Sequence, residues 1–160
     1  MAASGLNPGQ GKGQPLSSPS QTDPPTRRRC QILVVEDNKP DVFLIREAIR
    51  TAGVNADVHV VYDGAQATEF LNSSDDTNSC PDLILLDMNL PKESGEDVLR
   101  HMRNSATCKG AMVLVVTSSD SITERHAMDH LGVRGYFRKP GRYAEYLELG
   151  VMVKELLSDC

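Results

Sequence analysis

Tryptophan is absent from the 160-residue chain, and aromatic residues make up only 4% of it. Any core must therefore be mostly aliphatic. No stretch approaches the roughly 18 consecutive apolar residues that a membrane-spanning helix needs, and the N-terminus lacks the apolar segment of a secretory signal. No C-x-x-C pair occurs, and no histidine stands at metal-ligand spacing from Cys30, Cys80, Cys108 or Cys160. The four cysteines are read as free thiols in a reducing cytosol rather than as a zinc or disulfide framework. Basic charge is scarce outside the N-terminus. Residues 1–29 carry Lys12 and Arg27–Arg29 against Asp23, a net of +3, so the chain total of −5 leaves −8 on residues 30–160. An acidic body repels a phosphate backbone, which argues against nucleic acid as the main partner. The short arginine run reads as a solvated flank.

Large apolar residues are also missing from residues 1–29, which hold five prolines and four glycines but only Leu6 and Leu16 as big aliphatics after Met1. Such a segment buries too little apolar surface to offset the entropy of ordering it. Residues 1–29 are expected to be a disordered tail, and residues 30–160 the folded domain.

Within that domain, short apolar runs alternate with helical patterns five times. Ile32-Leu33-Val34-Val35 and Leu83-Ile84-Leu85-Leu86 lack polar alternation, as does Met112–Val116. This is what a parallel sheet covered on both faces requires. Strands are also expected over Ala56–Tyr62 and Gly135–Arg138, with the third beginning at Asp82. Helices are expected from Asn38 to Arg50, from about Ala65 to Asn72, from Ser94 to about Asn104, over Ser121–Leu131, and from about Arg142 to Leu157. Pro40 and Asp41 suit the first turn of the first helix, and Ser94 suits the cap of the third. Right-handed crossovers between five such strands give an α/β, doubly wound five-stranded parallel sheet with helices on both faces.

Four of the five strands run into polar chemistry: Glu36-Asp37 after the first, Asp87 after the third, Thr117 closing the fourth, Lys139 after the fifth. In a parallel sheet these ends share one edge, where ligands of open α/β sheets bind. Three carboxylates gathered there stay ionised cheaply only with a cation among them. All-oxygen donors point to a hard divalent ion, Mg²⁺ above all. Asp87 is then placed to take up a phosphoryl group as an aspartyl-phosphate, with Lys139 neutralising charge and Thr117 hydrogen-bonding. His59, His101, His126 and His130 fall on surface elements and read as solvent-facing.

With these residues in hand, the chain resembles the receiver domains of two-component response regulators across about residues 31–157. The likeness rests on Ile32–Val35 with Glu36-Asp37, on Leu83–Leu86 with Asp87, on Leu90-Pro91 and Gly95, and on Thr117, Tyr136 and Lys139-Pro140. Val35-Glu36-Asp37-Asn38, Leu85–Lys92 and the polar loop before the third strand look most like the single-domain regulators that partner phytochrome-type histidine kinases. The resemblance implies a flavodoxin-like fold with Asp87 as phosphoacceptor. Glu36, Asp37, Asp87 and the backbone carbonyl of Asn89 would bind Mg²⁺. Thr117 and Lys139 would contact the phosphoryl group, Tyr136 would be the switch aromatic, and the Lys139–Pro140 peptide would be cis. It further implies a histidine kinase or phosphotransfer protein as donor, a downstream protein target, and homodimerisation through the last helix and fifth strand. The expected setting is cytoplasmic, and no catalysis is expected beyond the domain's own phosphoryl transfer and autodephosphorylation. Tyr143, Tyr146 and Leu147 belong either to a partner surface or to the core and its rim. Two features depart from the family pattern: Glu36-Asp37 replaces a pair of aspartates, and Gly141-Arg142 stands where an apolar residue is more usual, which loosens the start of the last helix. Two other readings are a receiver-like module that is never phosphorylated and a Mg²⁺-dependent phosphohydrolase. The second wants an acid two residues after its nucleophile, where Asn89 stands.

Overall fold

The computed structural model describes residues 28–74, 79–119 and 121–160. The expected tail therefore lies almost wholly outside the described residues. The strands are β1 (Cys30–Val35), β2 (Ala56–Val61), β3 (Leu83–Leu86), β4 (Met112–Thr117) and β5 (Gly135–Arg138). The helices are α1 (Lys39–Thr51), α2 (Gly64–Asn72), α3 (Gly95–Arg103), α4 (Ile122–Asp129) and α5 (Tyr143–Leu156). All neighbouring strands pair parallel, in the order β2-β1-β3-β4-β5.

Continuous apolar runs make sense once the two faces are separated. Ile32, Val34, Leu83, Leu85, Leu114 and Val116 point to one side, where Ile45, Ala48 and Ile49 of α1 meet Leu149 and Val153 of α5. Leu33, Val35, Ile84, Leu86, Val113 and Val115 point to the other, against Ala67 and Leu71, Val98, Leu99 and Met102, and Met128. Successive strand residues face opposite sides, so the central strands, covered on both faces, hold no polar residue in mid-strand, whereas the edge strand β2 carries Asp57 and His59.

Helix starts follow from local chemistry. The Asn38, Asp63, Ser94 and Ser121 side chains each accept a backbone N–H from the first turn of the helix they precede. Ser94 and Asp97 cap each other reciprocally. Arg142 precedes α5 without a side-chain cap bond, as the Gly141-Arg142 departure leads one to expect.

Two expectations are overturned. The cysteines are paired, Cys30 with Cys160 and Cys80 with Cys108, and no free cysteine remains among the described residues. Topology explains why linear spacing misled. Cys30 opens β1, Cys80 and Cys108 precede β3 and β4, and Cys160 follows α5 as it returns to the same edge, so all four meet at the amino ends of the strands. The Lys139–Pro140 peptide is trans, since no cis bond occurs among the described residues. Trans is the lower-energy form of an X–Pro bond, and the Lys139 amine reaches the carboxylates in it.

Candidate functional site

The sheet order reverses direction between β1 and β3, the place where open α/β sheets bind ligands at the carboxyl ends of their strands. Val35 pairs with both Val61 and Leu86. Glu36 and Asp87 are thus the first residues past the paired segments, side by side. Their amides remain tied to neighbouring strands, Glu36 N–H to the Val61 carbonyl at 3.1 Å and Asp87 N–H to the Val35 carbonyl at 3.1 Å. The Glu36 side chain is 1% exposed and that of Asp87 belongs to a residue 5% exposed, whereas Asp37 is open to solvent.

Ligand atoms of Glu36, Asp37 and Asp87 all lie within 4.8 Å of one another. Glu36 Oε1 accepts the Asn38 amide at 3.0 Å. Its buried Oε2 is partnered among the described residues by the Lys139 ammonium, with Nζ at 2.5 Å. Three carboxylates with ligand atoms this close form an all-oxygen donor set that fits a hard divalent cation. Lys139 Nζ also lies 3.2 Å from Asp87 Oδ2 and 3.0 Å from Asp41 Oδ2. Burial pushes the Glu36 carboxyl up to about 7 against the pull of Lys139 and the Asn38 amide. Burial alone would lower the Lys139 pKa, but the hydrogen bond to Glu36 and the charges of Asp87 and Glu36 outweigh it and hold the amine firmly protonated.

The loop after β3 is fixed in several places. Asn89 is exposed, and its amide donates to Asp87 Oδ1 at 3.2 Å. Lys92 adopts φ 70° and pairs with Asp63 at 3.3 Å, and Thr68 donates to Glu93 at 2.6 Å. Gly95 lets α3 start against the loop: a Cβ there would lie 2.5 Å from the Asp87 carbonyl oxygen. Thr117, 5% exposed, ends β4 at the same edge, and its hydroxyl accepts the Ser119 amide at 3.2 Å.

A protein-family model, the response regulator receiver domain, matches residues 32–149. The chain belongs to the response regulator receiver domains. Response regulator Rcp1 of Synechocystis sp. is 34% identical to this receiver domain over 110 residues, covering 68% of this chain and 75% of Rcp1. Among solved structures, the phosphorylated cyanobacterial phytochrome response regulator RcpA is similar with a TM-score of 0.74 and 32% identity, over 83% of this chain and 97% of RcpA. The Mn²⁺-bound form of Rcp1 is similar with a TM-score of 0.69 and 31% identity, over 79% of this chain and 92% of that one. This receiver domain is accordingly a response regulator of two-component signalling, a class that partners histidine kinases.

Tyr136, the expected switch aromatic, is half-buried against α4. Its hydroxyl donates to the Arg125 carbonyl at 2.7 Å and meets Asp129 Oδ1 at 3.0 Å, and the Arg125 guanidinium lies 5.3 Å from its ring centre. Burial and the Asp129 contact push its pKa up to about 12. Two pocket residues escaped the sequence reading as members of the site. Asp41 reaches Lys139, and the Tyr146 hydroxyl donates to Asp41 Oδ1 at 3.3 Å. Tyr146 is 3% exposed and belongs to the core, while Tyr143 is 49% exposed and Leu147 partly so. The signal for Asp41 was present: an acid in the first turn of a helix that leaves the carboxyl end of β1. His59, His126 and His130 are exposed; His101 is half-buried and bonded to Asn72 at 2.8 Å.

Proposed function

We propose that Asp87 accepts a phosphoryl group from a phosphohistidine, so that this receiver switches a protein-interaction face. One Asp87 carboxylate oxygen attacks phosphorus, the P–N bond to the donor imidazole breaks, and the aspartyl-phosphate forms. The observation that carries this reading is the Lys139 amine 3.2 Å from Asp87 Oδ2 inside a three-carboxylate cluster. Glu36, Asp37, Asp87 and the Asn89 carbonyl would hold Mg²⁺, and a bound Mg²⁺ neutralises phosphoryl oxygens as charge develops. Lys139 holds a cationic group on the same oxygens, and Thr117 donates its hydroxyl to one of them. Phosphorylation adds roughly −1.5 to −2 charges. Thr117 and Lys139 turn to the new oxygens, Tyr136 shifts with them, and the surface of α4, β5 and α5 repacks.

The donor we favour is a phytochrome-type histidine kinase, or a phosphotransfer protein fed by one, given the likeness to Rcp1 and RcpA. The receiver acts on its own phosphoryl group and its autodephosphorylation, and on no external ester. Exposed Tyr143 and Val151 on α5 favour a homodimer or a downstream target docking over α5 and β5. A cytoplasmic setting suits a kinase-fed receiver, although the two disulfides belong more often to oxidising compartments, and no helix among the described residues is long and apolar enough to cross a membrane. Incubation with acetyl phosphate and Mg²⁺ should give a base-labile adduct of one phosphoryl group per chain, absent from Asp87→Asn. Equal yield in that variant would overturn the assignment.

A further inference from the structure

Lys139 is shared among three carboxylates, and two of them belong to the metal cluster. Its Nζ lies 2.5 Å from Glu36 Oε2 and 3.2 Å from Asp87 Oδ2, but also 3.0 Å from Asp41 Oδ2, and Asp41 is not part of the cluster of Glu36, Asp37 and Asp87. A divalent cation and an ammonium compete for the same oxygens. When the cation takes Glu36 and Asp87, the amine must be held by something else or leave for solvent.

Asp41 is built to hold it. Its amide donates to Asn38 Oδ1 at 3.1 Å, which fixes the first turn of α1 beneath it. Its other oxygen, Oδ1, accepts the hydroxyl of Tyr146, whose ring is buried in the core beside Phe137 at 6.0 Å between ring centres. One oxygen is thus anchored to α5 and the other is left for Lys139. A carboxylate serving only the helix dipole has no need of either contact.

We propose that Asp41 is a positioning residue, the carboxylate that retains Lys139 in the cleft once a divalent cation occupies Glu36 and Asp87. The proposal rests on the phosphoacceptor reading only in taking those two residues as cation ligands. Asp41 lowers the cost of moving the amine aside and keeps it within reach of an incoming phosphoryl oxygen. Its effect on cation binding therefore acts through Lys139 and not merely through its negative charge.

The test is a double-mutant cycle on Mg²⁺ affinity, read by calorimetry with no phosphodonor present. Asp41→Asn keeps the side chain's shape and its acceptor for Tyr146 while removing the charge. In the native chain it should weaken Mg²⁺ binding about three- to tenfold, in the lower part of the coupling range of contacting residues. In a Lys139→Met background the same change should alter affinity less than about twofold, and Asp41→Glu should recover part of the native affinity. Equal weakening in both backgrounds would reduce Asp41 to a distant charge, and no weakening in the native chain would remove its role; either overturns the proposal. The phosphoacceptor reading fails separately, if the native chain binds Mg²⁺ with this cycle yet forms no adduct at Asp87.

Discussion

Gly95 shows how a single missing side chain sets the geometry of Asp87. A methyl group at this position would meet the Asp87 carbonyl and Met88 Cα, at 2.5 and 2.7 Å, and neither backbone atom can yield cheaply. Gly95→Ala should destabilise the fold by about 1–3 kcal/mol, the usual cost of forcing in a methylene, and slow formation of the adduct. Chemical denaturation and the phosphorylation rate check both, and native-like values for both would mean that α3 does not locate Asp87. At this scale the sequence was legible wherever a residue ends a strand: Glu36, Asp87, Thr117 and Lys139 all stand at the edge their strands imply. Asp41 and Tyr146 were not, because their link spans 105 positions and depends on how α1 leans on α5. Nothing local in either residue announces the other.

Elements were easier to read where their signals are local. The cap of α3 is a reciprocal Ser94–Asp97 pair, with the Asp97 amide 3.1 Å from Ser94 Oγ and the Ser94 amide 3.2 Å from Asp97 Oδ2. Ser94→Ala should cost about 1 kcal/mol, within the range of N-cap losses, seen as a lower urea midpoint with an unchanged slope. An unchanged midpoint would mean that the helix end was already frayed. The buried strands were legible because a run such as Leu83–Leu86, covered on both faces, admits no polar residue. The end of β2 fell one residue short of the expected Tyr62, whose amide bonds the Gln66 side chain instead of the sheet ladder.

For the whole molecule, the parallel topology decides two things at opposite edges of one sheet. At the carboxyl edge it gathers the acids and Lys139; at the amino edge it gathers four cysteines. The second grouping was hidden, since pairs separated by 130 and 28 positions have no signature in linear spacing. The same topology that predicted the first edge would have exposed the second. Closing such loops is worth roughly 3–5 kcal/mol each in the chain-entropy view, so a reductant should lower the melting temperature by about 10 °C or more. Protein isolated without reductant should resist thiol alkylation when unfolded. Four reactive thiols in that experiment would restore the reduced-cytosol expectation.

Residues following β1, β3 and β5 meet around the carboxylate of Asp87, and the proposed phosphoacceptor role requires that carboxylate alone to take up the phosphoryl group. Locating the phosphoryl group by peptide mass spectrometry, after reaction with acetyl phosphate, tests it most directly. One modified residue, Asp87, is expected in the presence of Mg²⁺ and none when Mg²⁺ is chelated. A phosphoryl group on any other residue, or equal labelling of Asp87 without the metal, would contradict it.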